Sequence, residues 1–212
     1  MHKKLILLCM FISAFGLTSC NDLDDVSFAD TNQRPISQTA GIDIFTVKLE
    51  EDTISLGDTK VSEINGWIIE NPTIIGEGSQ KVPVSFNIAD SYSQYSDADI
   101  RVALVSEGKE DIQANDAVVY SFYADFSAGI NEGKTAEEMK IPDVSIAENI
   151  TWGSTYSDVI NTLGEPSSKT NVLDEHTLSY YYPEGQLVIK INSDGNYNGY
   201  GVYSVNVVKT VE

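Results

Sequence analysis

Cysteine is nearly missing from this chain. Only Cys9 and Cys20 occur, both within the first twenty residues. Everything downstream lacks a thiol, which rules out a disulfide, a thiolate zinc site or a cysteine nucleophile there. Histidine is almost as scarce. Apart from His2 there is His176 alone, so a histidine-based metal cluster is impossible and a Ser-His-Asp triad would have to run through that one side chain. Positive charge is in short supply too, with 13 Lys and Arg against 32 Asp and Glu and a net charge of −19. Such a surface repels phosphate backbones, so DNA and RNA are excluded as partners. No apolar run is long enough for a permanent membrane span: the longest, Leu5 to Leu17, covers about 13 residues where a span needs roughly 20.

That short run belongs to a recognisable pattern. Lys3 and Lys4 precede it, and Leu17-Thr18-Ser19-Cys20 closes it with small residues. A charged start, a short apolar stretch and a small-residue cleavage site are the marks of a secretory signal peptide. The closing four residues resemble the lipobox of bacterial lipoproteins. That resemblance implies a lipid on Cys20, cleavage before it, and a mature protein held at the cell membrane or outer membrane with its folded part outside the cytoplasm. Two or three acyl chains hold a protein firmly where one is marginal. Loss of residues 1–19 would leave 11 basic residues against 32 acidic ones. Asp22, Asp24 and Asp25 also resemble an acidic export tag that carries some bacterial lipoproteins to the cell surface.

Residues 20–41 are polar, acidic and without apolar periodicity, and read as a lipidated acidic tether. From Ile42 the texture alternates. Strands are expected at 43–49, 82–88, 99–105 and 117–126, rich in Val, Ile, Tyr and Phe and punctuated by Gly, Asp and Ser. The stretch 127–149 has few large apolar residues and reads as a linker, with a helical turn over Ala136–Met139.

The C-terminal block carries the sharpest local signals. Thr155 is a good N-cap with Asp158 in the capping-box position. Tyr156, Val159, Ile160 and Leu163 follow at i, i+3, i+4 and i+7, and Gly164 and Pro166 end the helix. Strands are expected at 177–182, 186–192 and 200–208, joined by turns at Pro183–Gly185 and around Asp194-Gly195. Residues 54–65 echo 150–161 with five identities: Ile54/Ile150, Gly57/Gly153, Thr59/Thr155, Ile64/Ile160 and Asn65/Asn161. The echo reads either as a duplication or as shared capping chemistry. The expected fold is therefore α+β: two small units at 42–140 and 141–212, each a short helix with an antiparallel sheet.

The residues I-T-W-G-S-T-Y-S-D-V (150–159) and L-G-E-P (163–166), with the tyrosine-rich strand and hairpin after them, resemble one unit of the SmpA/OmlA and beta-lactamase-inhibitor-protein-like small lipoproteins. The resemblance spans about 60 residues, and this unit offers one obvious helix where those families have two. It implies a non-catalytic role, binding or scaffolding other extracytoplasmic proteins on a sheet face, and transfers no functional residue.

Enzyme machinery is not evident. His176 is expected in a polar loop, Leu173–Leu178, between helix and sheet, and no Gly-x-Ser-x-Gly elbow or P-loop pattern occurs. Carboxylate pairs identify nothing when acids number 32. Asp194-Gly-Asn196-Tyr-Asn198-Gly199 matches the first half of a calcium loop, but position 12 is Val205, and a hairpin turn uses the same residues. No metal, cofactor or catalytic residue is expected. Eleven tyrosines remain to be explained. Alternation sends Tyr180 and Tyr182 to one sheet face and Tyr181 to the other. Tyr181, Tyr200 and Tyr203 form the candidate binding surface, for a protein partner or, as the alternative, for a ligand or glycan at the cell surface; half-buried sheet tyrosines are the plainer reading. Trp67 and Trp152 read as core or boundary residues.

Overall fold

The computed structural model of the protein describes residues 41–211 except 70–73, 77–82, 91–93, 107–110, 136, 174 and 193–200. Its elements in chain order begin with β1 (Thr46–Leu49), β2 (Asp52–Ser55), β3 (Trp67–Ile69), β4 (Ile74–Ile75), β5 (Val84–Asp90), β6 (Asp99–Val105), β7 (Ile112–Gln113) and β8 (Val118–Asp125). Helix α1 (Ser127–Asn131), β9 (Val144–Ile146), β10 (Ile150–Thr151) and α2 (Tyr156–Leu163) follow. The chain closes with β11 (Ser168–Val172), β12 (Glu175–Tyr182), β13 (Gly185–Asn192) and β14 (Val202–Lys209). None of the described helices is long and apolar enough to cross a membrane.

Eight strands form one antiparallel sheet in the order β11-β12-β13-β14-β8-β6-β5-β3, and it takes strands from both sides of residue 140. A second sheet runs β10-β9-β1-β2, and β4 pairs with β7. Period-two patterning explains the large sheet. Leu187, Ile189 and Ile191 of β13 are buried while Gln186, Val188, Lys190 and Asn192 between them are half-buried. These three residues share one apolar cluster with Leu178 and Tyr180 of β12, Phe122 of β8 and Val102 of β6. The same cluster takes Val47 and Leu49 of β1, Val144 and Ile146 of β9, and Val159 and Leu163 of α2. The core thus lies on one face of the large sheet and includes side chains of the small sheet and of α2.

The α+β expectation is corrected here. The described residues are dominated by antiparallel strands, and they hold two short α-helices, of five and eight residues. The reason lies in residues 54–65. There the chain forms the end of β2 and a three-residue 3-10 turn, Val61–Glu63, instead of a helix matching α2. Thr59 spends its hydroxyl on the Ser55 N–H at 2.9 Å, closing a local turn instead of capping a helix. Beyond it only Val61 and Ile64 turn inward, too few for a helical stripe, and Asn65-Gly66 follows at once.

Helix α2 forms as its signals require. The Thr155 hydroxyl accepts the Asp158 N–H at 3.2 Å, and the Asp158 carboxylate accepts the Thr155 N–H at 2.8 Å. The Thr155 hydroxyl also donates to the Asp158 carboxylate at 2.7 Å, and this bond first, then the Thr155 N–H, holds the Asp158 carboxyl below the ordinary carboxylate range. Gly164 takes φ 75° and its N–H returns to the Ile160 carbonyl at 2.8 Å. The buried Tyr180 phenol then donates to the Gly164 carbonyl at 3.1 Å, fixing the helix end to β12.

Candidate functional site

Two of the sequence-marked residues lie outside the described part: Cys20 with the rest of residues 1–40, and Tyr200 with the calcium-like run 194–199. Tyr181 is half-buried on β12, its N–H donating to Ser167 Oγ at 3.1 Å. Tyr203 is 7 % exposed and belongs to a small apolar cluster with Phe126, Ile130 and Met139. Tyr203 meets Glu175, the first residue of β12, whereas Tyr181 is six residues further along that strand, roughly 20 Å away. Tyr181 and Tyr203 are therefore not one patch. His176 sits within β12 and not in a loop. Its Nδ1 is 2.6 Å from Asn171 Oδ1, and its ring lies 5.4 Å from that of Tyr156. Trp67 stacks on Tyr95 at 5.8 Å, and the Trp152 indole N–H donates to the Pro142 carbonyl at 2.7 Å.

What the structure brings together is a different group. At one end of the large sheet a cleft of about 450 Å³ is lined by Asp125, Glu175, Lys190, Asn192 and Tyr203, by Ser127, Ile130 and Asn131 of α1, and by Val172 and Leu173. Each arrives for a local reason. Asp125 ends β8, and its Oδ1 accepts the Ser127 N–H at 2.8 Å and the Ser127 hydroxyl at 2.5 Å. This aspartate turn sends the chain from strand into α1 and sets Ile130 and Asn131 over the cleft. Sheet register does the rest: Glu175 lies opposite Asn192, Lys190 opposite Ser204, and Ser204 opposite Asp125. Between Lys190 and Ile191 the register slips, so that Tyr203 is left without an opposite residue on β13. Such a bulge re-aims a side chain. Tyr203 is directed onto Phe126, ring centroids 6.3 Å apart, while its hydroxyl donates to the Glu175 carboxylate.

The electrostatics follow from burial. Desolvation, then the Glu175 bond and charge, and then Asp125, push the Tyr203 phenol far above its ordinary pKa, so it stays a neutral donor. The same sheet face continues with Ser121, Tyr123, Ser204 and Asn206, all buried. Burial pushes the Tyr123 phenol up, helped by Asp125 and Asp99 and opposed by Arg101, whose guanidinium lies 5.5 Å from the ring centroid. Asn206 Oδ1 is buried and has no hydrogen-bond partner among the described residues.

Glu175 and His176 are neighbours on a strand and face opposite sides of the sheet, so the histidine does not reach the cleft carboxylates. No group of three His, Cys, Asp or Glu among the described residues is placed to hold a metal ion. Sequence reasoning missed Glu175, Asp125 and Lys190 because strand alternation alone does not say which strand ends meet. The Asp125-x-Ser127 turn at a strand end was the one local signal available.

Beside the cleft lies the sheet edge. Among the described residues β11 pairs with β12 alone, and all five of its residues are exposed. It ends in Val172, 61 % exposed, and runs into Leu173, 96 % exposed. Lys169, the charge that would guard such an edge, is drawn over the Tyr156 ring at 4.2 Å. Compared with known protein families, with curated proteins and with solved structures, the chain matches none.

Proposed function

We propose that this chain is a lipoprotein anchored through Cys20, with its folded part outside the cytoplasm, and that it acts without catalysis by binding an extended segment of another extracytoplasmic protein along β11. One observation carries the binding half of this reading: β11 is a fully exposed edge strand with an apolar end. A sheet edge offers a row of backbone donors and acceptors, and strand addition is an established mode of peptide capture. The occupant is a partner of basic or neutral character. A second copy is disfavoured, because two chains of net charge −19 repel one another. The anchor half is supported by Lys3, Lys4, the Leu5–Leu17 run and the Leu17–Cys20 lipobox.

Metabolic labelling with an alkyne fatty acid tests the anchor. Label on the wild type and none on Cys20→Ala is expected; an unlabelled protein that retains residues 1–19 overturns it. For the edge, Lys169→Pro and Thr170→Pro are made in parallel. Adjacent strand amides point to opposite sides, so one of the two removes an N–H that faces away from β12. That variant is expected to lose a co-purifying partner while keeping its fold. Retention of the same partner by both folded variants overturns the edge reading. The alternative, a ligand-binding lipoprotein, is favoured by the cleft itself, whose volume falls in the range of small-molecule sites.

A further inference from the structure

We infer that the cleft at the end of the large sheet receives a positively charged nitrogen carried on an aliphatic stem. This rests on the reading above, in which the group is a lysine or arginine side chain of the segment lying along β11. A free alkylamine is the other source of the same chemistry.

Charge points first to a cation. The cleft holds the carboxylates of Asp125 and Glu175 against the single ammonium of Lys190. The whole chain, at −19, draws cations toward it and slows the approach of anions. The Tyr203 phenol already gives its proton to Glu175. The two carboxylates accept hydrogen bonds and donate none, so a ligand that donates through a charged nitrogen matches them.

Shape and polarity supply the stem. Ile130, Val172 and Leu173 line the cleft, and the last two are exposed to 61 % and 96 %. An ammonium or guanidinium head on a methylene chain buries the chain against such side chains while the head meets the carboxylates. Carbohydrate is a poorer fit, because Tyr203 is only 7 % exposed and offers no open ring face for a sugar. Continuity with β11 connects the two readings. Val172 is the last residue of that strand and also a wall of the cleft, so a segment paired along β11 reaches the cleft at its end.

The test uses the full chain in detergent micelles and fluorescence anisotropy. The probes are a labelled hexapeptide, acetyl-Thr-Lys-Val-Lys-Val-Thr-amide, its counterpart with both lysines replaced by glutamate, and n-hexylammonium as competitor. The lysine peptide is expected to bind at least about tenfold more tightly than the glutamate peptide. Glu175→Gln and Asp125→Asn, which keep the shape and one acceptor oxygen each, weaken it about fivefold or more, and n-hexylammonium displaces it. Equal binding of the two peptides overturns the inference without requiring any variant to fold. Binding that Lys169→Pro or Thr170→Pro abolishes, but that Glu175→Gln and Asp125→Asn leave untouched, removes the cleft and leaves the edge reading standing. If n-hexylammonium binds as tightly as the peptide, the cation chemistry holds and the peptide source is overturned.

Discussion

The Tyr203 hydroxyl donates to the Glu175 carboxylate, tying the second residue of β14 to the first residue of β12 across β13. The bond is made in the cleft wall, with the ring buried beside Phe126. It therefore serves both stability and the shape of the cleft, because it holds the Glu175 side chain in place.

Tyr203→Phe removes the donor and keeps the ring. The loss should be about 1.5–3 kcal/mol, the usual worth of a hydrogen bond to a charged group, read by urea denaturation. The phenol is pushed far above the ordinary tyrosine value by burial and by Glu175. Ultraviolet titration to about pH 11 should therefore show the same number of ionising tyrosines in the folded wild type and in Tyr203→Phe. One tyrosine fewer titrating in the variant would contradict the buried geometry.

Gly201→Ala should be among the most damaging single changes. A Cβ there would lie 2.1 Å from the Ser154 carbonyl oxygen and 2.5 Å from that of Gly153. Those are backbone atoms, and the Val202 N–H is bonded to the same Ser154 carbonyl at 2.8 Å. The start of β14 must move away from the turn before α2, costing about 1–3 kcal/mol by thermal unfolding. A variant as stable as the wild type would mean that the turn and the strand do not approach this closely.

Asp97 gives a pH signature. Its carboxylate accepts from Lys134 Nζ at 2.5 Å and from the Lys140 N–H at 2.8 Å, and the Lys134 bond, then the Lys140 one, hold its pKa below the ordinary value. A depressed folded-state pKa contributes stability that is complete above the unfolded pKa and is lost as pH falls through the folded one. Asp97→Asn should accordingly be less stable by about 1 kcal/mol near neutrality. The gap should stay constant down to about pH 5, shrink from about pH 4 downward as the unfolded chain takes up the proton first, and be lost once pH has passed below the lowered folded-state pKa. A gap that persists unchanged at pH 3 contradicts the assignment.

Thr155→Ala should cost about 1 kcal/mol, the usual worth of a helix N-cap, and Thr155→Ser much less. Combined with Asp158→Ala, the losses should fall short of additive, since each side chain bonds the other residue's N–H.

Legibility in the sequence tracked how local the cause was. The capping box at Thr155 and Asp158 and the glycine stop at Gly164 were readable because both partners lie within a few residues. The strand over 99–105 coincides with β6, and 117–126 brackets β8, because strong period-two patterning in Val, Ile and Phe leaves little else to choose. β11 and β9 were not readable. The first, Ser-Lys-Thr-Asn-Val, lacks an apolar face and is held as a strand by pairing with β12. The second sits in a stretch that resembles a linker, and only its pairing with β1, Val47 opposite Ile146, reveals the role of Val144 and Ile146. The fold class failed for the same reason. The echo between 54–65 and 150–161 repeats capping residues without repeating the apolar stripe that stabilises a helix. The cleft depends on four strand ends and a bulge meeting, and no single segment encodes that.

Photo-crosslinking from position 170 in the anchored protein, with the adduct mapped by mass spectrometry, tests the central claim most directly. Adducts to one extended segment of another exported protein, carrying lysine or arginine near the attachment point, are the predicted result. Crosslinks confined to a second copy of this chain, or none from position 170 while a probe at Ile68 on the opposite edge reacts, would contradict it.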